Sequence, residues 1–257
     1  MQSLQNLHFR IVVFVMLVTF AACNSGKGPA PTDDTTVVKK DTTAVIETDT
    51  TAEVAAKYHG VDVSKYNGNA VEEIDAADSL YFIICKATEG VTLVDPSLRS
   101  NWKLIRDKKM ILGAYHFYHT DDDPTAQAQF YCSTVDAQGK LDITPIVDIE
   151  QGSLTPNQAT NTNQLQSNLL IYLNVIEKHY KRIPMIYTGE AFAQQFLNNP
   201  VFAKYPLWLA EYSGKAKPIL PDTWKATGYK IWQKRANFDI NSTPTDYDVY
   251  FGKLSEL

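Results

Sequence analysis

Pro145-Ile146-Val147-Asp148-Ile149-Glu150 carries the sharpest chemical signal in the chain, two carboxylates separated by one residue at the end of an apolar run. On a strand, residues two apart point to the same face, so Asp148 and Glu150 project together. Two carboxyl groups held close cannot both ionise freely. One keeps its proton to a higher pH, and such an acid can protonate a leaving group near neutrality. Glu150 is the longer side chain at the end of the run, reaches furthest, and is the candidate acid. The ordinary alternative is a solvated pair on a surface strand, and the apolar residues in front argue against it.

Other acidic positions carry two readings each. Asp62, in His59-Gly60-Val61-Asp62-Val63-Ser64, is either a third carboxylate of the same cleft or a turn residue followed by a capping Ser64. Asp246 and Asp248, in Thr245-Asp246-Tyr247-Asp248-Val249-Tyr250, either join that cleft or form a polar turn before a short edge strand. Asp121-Asp122-Asp123 lacks the rest of a calcium-loop pattern and reads as a solvated helix start. His116 and His119 are three apart, hence on opposite faces, and no other His-rich or Cys-rich spacing supports a metal. Neither a G-x-S-x-G elbow nor a phosphate loop is present. Neither metal nor cofactor is therefore expected. Cys85 and Cys132 read as small buried hydrophobes rather than a catalytic pair, with a disulfide between them left open.

Positioning these groups requires a frame. Apolar runs at His59–Val63, Tyr81–Lys86, Ile111–Phe117, Ile143–Ile149, Pro184–Tyr187, Leu207–Ala210 and Tyr229–Trp232 read as buried strands. Between them, Asp95-Pro96, Asp123-Pro124 and Thr155-Pro156 each combine a capping residue with a proline suited to a first helical turn. They predict helices over Ser97–Lys108, Thr125–Val135 and from Thr155 to about Tyr180. Alternating strands and helices imply a mostly parallel sheet, open or closed as a barrel. In such sheets ligands bind where the carboxyl ends of the strands converge. Polar or aromatic residues follow all seven runs, including Asp62, Lys86, His116, Asp148, Tyr187, Glu211 and Gln233, and together they predict one acidic, aromatic-lined cleft.

Ahead of this frame stand two segments of different character. Arg10 precedes an apolar run, Ile11–Ala22, that ends in Phe20-Ala21-Ala22-Cys23. The run is too short to span a bilayer as a mature helix, and small residues before a Cys resemble a bacterial lipoprotein signal with Cys23 as the lipidated residue. An ordinary secretory signal is the alternative. Asn24–Lys57 holds eight Thr, six acids, two Pro and no aromatic residue, a composition that buries too little apolar surface to offset its ordering entropy. The expected organisation is residues 1–23 as address, 24–57 as tether and 58–257 as one α/β domain. The chain of 257 residues carries 24 basic and 29 acidic side chains, a net charge of -5, which disfavours nucleic acid as a partner. Its 14 Tyr, 11 Phe and 4 Trp suit a ligand whose rings stack on aromatic faces, such as a carbohydrate.

Taken in order, Gly60-Val61-Asp62-Val63-Ser64, Phe82-Ile83-Ile84-Cys85-Lys86-Ala87-Thr88-Glu89-Gly90, Gly113-Ala114-Tyr115-His116-Phe117, Pro145–Glu150, Ile186-Tyr187-Thr188, Leu207–Tyr212, Ile231-Trp232-Gln233 and Asp246–Tyr250 resemble the family 25 glycoside hydrolases, the Ch-type lysozymes. The resemblance covers Tyr58–Gly252. It implies a flattened, incomplete β/α barrel of the TIM-barrel type. It also implies cleavage of the β-1,4 bond between N-acetylmuramic acid and N-acetylglucosamine in the glycan strands of peptidoglycan, without a metal. By the same resemblance Glu150 is the general acid and Asp148 its partner carboxylate. Asp62 and Asp246 are the other two acids, and Tyr115, Tyr187, Trp208 and Gln233 line the sugar subsite.

The chain departs from the family pattern at Lys234, where many members have Tyr, at Cys85, which replaces an apolar residue, and at Asp248, where Asn is common. None of these removes a catalytic carboxylate. Retention through the substrate's own 2-acetamido group, with Asp148 as helper, is the expected route. A carboxylate nucleophile is the other. Two further readings stay open: a chitinase-like endo-β-N-acetylglucosaminidase, and a wall-binding lipoprotein without turnover. The expected setting is the bacterial cell envelope, with a monomer held to the membrane by its N-terminal lipid and facing the periplasm or the cell surface.

Overall fold

In the computed structural model, residues 57–257 are described. The expected address, Cys23 and all of the expected tether but Lys57 lie outside the described residues. Lys57 itself opens the first strand, β1 (Lys57–Val63).

The chain then runs through α1 (Ala70–Glu73), β2 (Leu80–Glu89), the two-residue β3 (Leu93–Val94), α2 (Leu98–Asp107), β4 (Ile111–Phe117), α3 (Pro124–Gln138), β5 (Ile146–Asp148) and α4 (Thr162–Tyr180). It continues with β6 (Met185–Gly189), α5 (Glu190–Phe196), β7 (Leu207–Ala210), β8 (Ile231–Ile240) and β9 (Thr243–Phe251). The sheet order is β1-β9-β8-β7-β6-β5-β4-β2-β3, and β1 also pairs with β2, so eight strands close into a ring with β3 appended to β2. The ring is a β/α barrel whose helical coat is incomplete: no α-helix follows β7 or β8.

Strand alternation sorts the side chains of the ring. Phe82 and Ile84 of β2, Tyr115 of β4, Ile146 of β5, Met185 of β6, Trp208 of β7, Ile231 of β8 and Tyr250 of β9 pack together in its interior. Their immediate neighbours, among them Ile83, Cys85, Ala114, Val147, Ile186 and Leu209, belong to a second buried cluster shared with the helices. Inside the ring, Gly60 makes room for Phe82: a Cβ there would lie 2.3 Å from the Phe82 ring. Leu257 is buried in the interior cluster, which closes the barrel at the end where the parallel strands begin.

Three expectations change in the structure. The helix expected from Thr155 starts only after Asn161, whose Oδ1 accepts from the Gln164 N–H at 3.1 Å. Asn157 adopts a left-handed backbone, φ 61°, which no helix accommodates. The strand expected over Ile143–Ile149 shortens to Ile146–Asp148, because Asp142 and Ile143 both donate their N–H to the one Leu112 carbonyl, out of ladder register, and Pro145 has no N–H to give a ladder. Finally, the C-terminal acids stand on a full barrel strand, not at an edge. β9 pairs antiparallel with both β1 and β8, and β8 reaches it through Asn241-Ser242, both with positive φ, the geometry of a type I′ hairpin. The capping of α3 is as read from sequence: Asp123 Oδ1 accepts from the Ala126 N–H at 2.7 Å.

Candidate active site

At the carboxyl ends of the parallel strands the interior turns from apolar to polar. Beyond Phe82 and Ile84, the next inward residue of β2 is Lys86; beyond Ile146 come Asp148 and then Glu150; beyond Met185 comes Tyr187. Because β9 is antiparallel, its early residues reach this rim, and Asp246 lies opposite Asp62 in the ladder. The result is a pocket of about 210 Å³ that includes Asp62, Asp148, Glu150 and Asp246 in its wall. Tyr115, Tyr187 and Trp208 line it as well. Seven of the eight barrel residues singled out in the sequence therefore meet in one place.

The eighth, Gln233, does not line the pocket. It is 1% exposed and sits behind Asp62, donating from Nε2 to Asp62 Oδ2 at 2.6 Å. Its Oε1 accepts from the Tyr187 hydroxyl at 2.9 Å and from the Tyr212 hydroxyl. Two phenols on one oxygen fix which end of the amide faces Asp62, so Gln233 orients a carboxylate rather than touching a ligand. Trp208 forms part of the pocket floor, with its indole edge-on to Tyr187 at 4.5 Å and its N–H donated to Asp248 Oδ1 at 2.8 Å.

Electrostatics at the rim are dominated by burial of like charges. Burial raises the Asp148 carboxyl well above its ordinary value, with the Glu150 charge adding to the effect and Lys86 opposing it. Glu150 is raised by burial and by Asp246, again against Lys86. Burial pushes Asp246 up to about 6. Asp62 is raised by burial and by Asp246, while hydrogen bonds from Gln233 and Asp248 pull it back. Each of these carboxyls is thus held above its ordinary value, the direction that general-acid chemistry needs. Asp148 and Glu150 are held by their backbones. The Asp148 carbonyl accepts from the Tyr118 N–H at 2.9 Å, and the Glu150 N–H donates to Ser153 Oγ at 3.1 Å.

Sequence reasoning set Lys86 at the cleft and left Asp248 open without giving either a role, and it passed over Tyr66. Lys86 is the one cation among the described residues that line the pocket; its Nζ lies 2.6 Å from Glu89 Oε2 and 4.7 Å from the centre of the Phe117 ring. Glu89 in turn faces His119 Nε2 at 3.1 Å. Alternation along β2 puts Lys86 on the inner face with Phe82 and Ile84, in line with its expected place at the cleft. Tyr66, 81% exposed, stands at the mouth on the turn that Ser64 caps, a flat apolar face open to solvent. Asp248 is wholly buried beside Asp62. His116 points away from the pocket into the helical layer, bonded to Thr88 Oγ1 at 2.8 Å and to Gln127 Oε1 at 3.1 Å, with burial driving its pKa down to about 3. Cys85 and Cys132 are both free thiols, buried, each pushed up to about 12 chiefly by burial.

A closed β/α barrel with an acidic, tyrosine-lined pocket at the carboxyl ends of its strands defines the class of barrel proteins that build their sites from strand-end carboxylates. Residues 61–242 match the model of glycosyl hydrolases family 25, and the chain belongs to that family. YegX of Escherichia coli (strain K12) is 32% identical over 182 residues, which make up 69% of this chain and 62% of that protein, so the match leaves more than a third of YegX uncovered. An N,O-diacetylmuramidase of Arthroderma benhamiae is 27% identical over 185 residues, 68% of this chain and 74% of its own. Among solved structures, a family GH25 lysozyme from Aspergillus fumigatus superposes with a TM-score of 0.65 at 25% identity, over 78% of this chain and 97% of that one. The bacterial lysozyme from Streptomyces coelicolor gives 0.67 at 24% identity, over 78% and 94%, a likeness of fold.

Proposed function

We propose that the domain is a peptidoglycan hydrolase, an N-acetylmuramidase that cleaves the β-1,4 bond between N-acetylmuramic acid and N-acetylglucosamine. The observation that carries this reading is the carboxylate set: Asp62, Asp148, Glu150 and Asp246 surround one pocket, and three tyrosines, Tyr66, Tyr115 and Tyr187, line it as aromatic surface for sugar rings. Family membership and the muramidase and lysozyme relatives support it.

In this reading Glu150 is the general acid. It stands furthest along the strand, is less buried than Asp148, and has a carboxyl held above its ordinary value by burial. Asp148 is the helper. Its Oδ1 is buried without a protein partner, so it offers a free acceptor to the N–H of a substrate 2-acetamido group. Holding that amide turns its carbonyl oxygen towards the anomeric carbon, where it displaces the leaving group that Glu150 protonates. Water then opens the cyclic intermediate with retention. A covalent adduct on Asp148 or Asp62, trapped and seen by mass spectrometry, would replace this route with a carboxylate nucleophile.

We propose also that the enzyme works at the bacterial cell envelope as a monomer held by a lipid on Cys23. Support comes from Arg10, the apolar run Ile11–Ala22 and the small residues before the cysteine. Radiolabelled fatty acid entering the wild-type protein but not Cys23→Ala tests this.

The activity is tested by digesting purified peptidoglycan with the protein, reducing the products with borohydride and analysing their ends. Reduced muramic acid is expected. Reduced glucosamine would make the enzyme a glucosaminidase, and no new reducing ends would leave a wall-binding protein without turnover.

A further inference from the structure

Asp62 and Asp248 form a buried pair whose partners leave room for one proton between them. In the ladder Asp248 lies opposite Gly60 on one side and Gln233 on the other, so its carboxyl lies beside that of Asp62, the next inward residue of β1. One oxygen of each is already taken. Trp208 Nε1 donates to Asp248 Oδ1 at 2.8 Å, and Gln233 Nε2 donates to Asp62 Oδ2 at 2.6 Å. Asp248 Oδ2 is buried with no donor on it, and the register of β9 between β1 and β8 sets its carboxyl next to that of Asp62. Two anionic oxygens brought together away from water repel strongly; one proton turns that repulsion into a charge-assisted hydrogen bond.

The surroundings decide who keeps it. Asp248 is 0% exposed and has one donor. Asp62 is 7% exposed, opens on the pocket, and has the oriented Gln233 amide besides. Around Asp248 stand Asp62 from β1, Asp246 from its own strand, Trp208 from β7 and Gln233 from β8, with no cation among them; Lys86 acts on Asp148 and Glu150 instead. We propose that Asp248 is a positioning residue that stays protonated through the working pH range and donates to Asp62, so that Asp62 faces substrate as the anion of the pair. The catalytic part of this inference rests on the hydrolase reading above; the protonation does not. Burial and the neighbouring Asp62 both hold the Asp248 carboxyl well above its ordinary value, in keeping with it.

An asparagine at this place would still present an N–H to Asp62, whereas a leucine of similar size presents nothing. The test uses the full-length protein and the variants Asp248→Asn and Asp248→Leu. Infrared difference spectra at neutral pH, without substrate, should show a protonated-carboxyl C=O band in the wild type that Asp248→Asn removes and Glu150→Gln does not. In kinetics on peptidoglycan, Asp248→Leu should lose about tenfold or more in kcat/KM, with its acid limb moved to higher pH as Asp62 loses its donor. Asp248→Asn should restore most of that loss and bring the limb back. Wild-type and Asp248→Asn spectra without a difference in that band would overturn the proposal, as would an Asp248→Asn enzyme as impaired as Asp248→Leu. If the leucine variant does not fold, the infrared comparison decides alone. A wild type that has the band yet leaves peptidoglycan uncut would sink the hydrolase reading and leave the shared proton standing.

Discussion

Lys86 reaches from the inner wall of the barrel to Glu89, 2.6 Å away, and its charge is the one that opposes the raising of both Asp148 and Glu150. Glu89, despite its partial burial, is kept below the ordinary carboxylate range by Lys86 and His119, so it stays an anion that anchors the lysine. The cation is held where it can act on both acids without forming an ion pair with either.

Replacing Lys86 by Met should therefore shift the chemistry rather than erase it. Losing a nearby positive charge raises the pKa of each carboxyl it served, so both limbs of the kcat/KM profile should move to higher pH. An unchanged profile would show that Lys86 has no electrostatic hold on the pair.

Glu150→Gln keeps the shape of the side chain and removes its transferable proton. Lysis should fall by about 10²–10⁴-fold while the far-ultraviolet circular dichroism and sedimentation with insoluble wall stay as in the wild type. Activity within a few-fold of the wild type would move the acid role elsewhere in the pocket.

The acids of the pocket carry a stability cost with a defined pH window. Asp246 has its pKa raised from 3.8 to about 6 by burial, so it binds its proton more tightly in the folded chain than in the unfolded one. Its favourable contribution is fully present below about pH 4 and is lost as pH rises through about 6. Asp246→Asn should therefore melt higher than the wild type at pH 8, by an amount worth up to about 3 kcal/mol, and no higher at pH 4. Equal melting temperatures at both pH values would refute the assignment.

Gly60→Ala tests the packing under the site. The added Cβ would meet the Phe82 ring at 2.3 Å inside a filled barrel, where neither strand can shift alone. A loss of about 1–3 kcal/mol in urea unfolding is expected, and Phe82→Leu in the same chain should recover part of it.

Much of this architecture could be read from residues. Ile111–Phe117 and Leu207–Ala210 were legible to the residue because short apolar runs between turn signals leave little else to form. The two carboxylates of β5 were legible because alternation puts Asp148 and Glu150 on one face. Asp246 could be assigned only through resemblance, since nothing local to Thr243–Phe251 announces that an antiparallel strand will carry an acid back to the rim. The hairpin that returns it turns on Asn241-Ser242, a weaker signal than Asn-Gly. The proton shared by Asp62 and Asp248 was not legible at all, because those residues are 186 positions apart and only closure of the ring brings them together.

That closure has a further effect. β1 enters and β9 leaves at the same end of the barrel, with Lys57 paired to Phe251 and Leu257 packed into the floor, while the pocket opens at the other end. Both ends of the described chain are thus gathered on the face remote from substrate. A surface, a label or another domain coupled at either end would leave the mouth clear, and a glycan strand could lie across the rim without meeting the attachment.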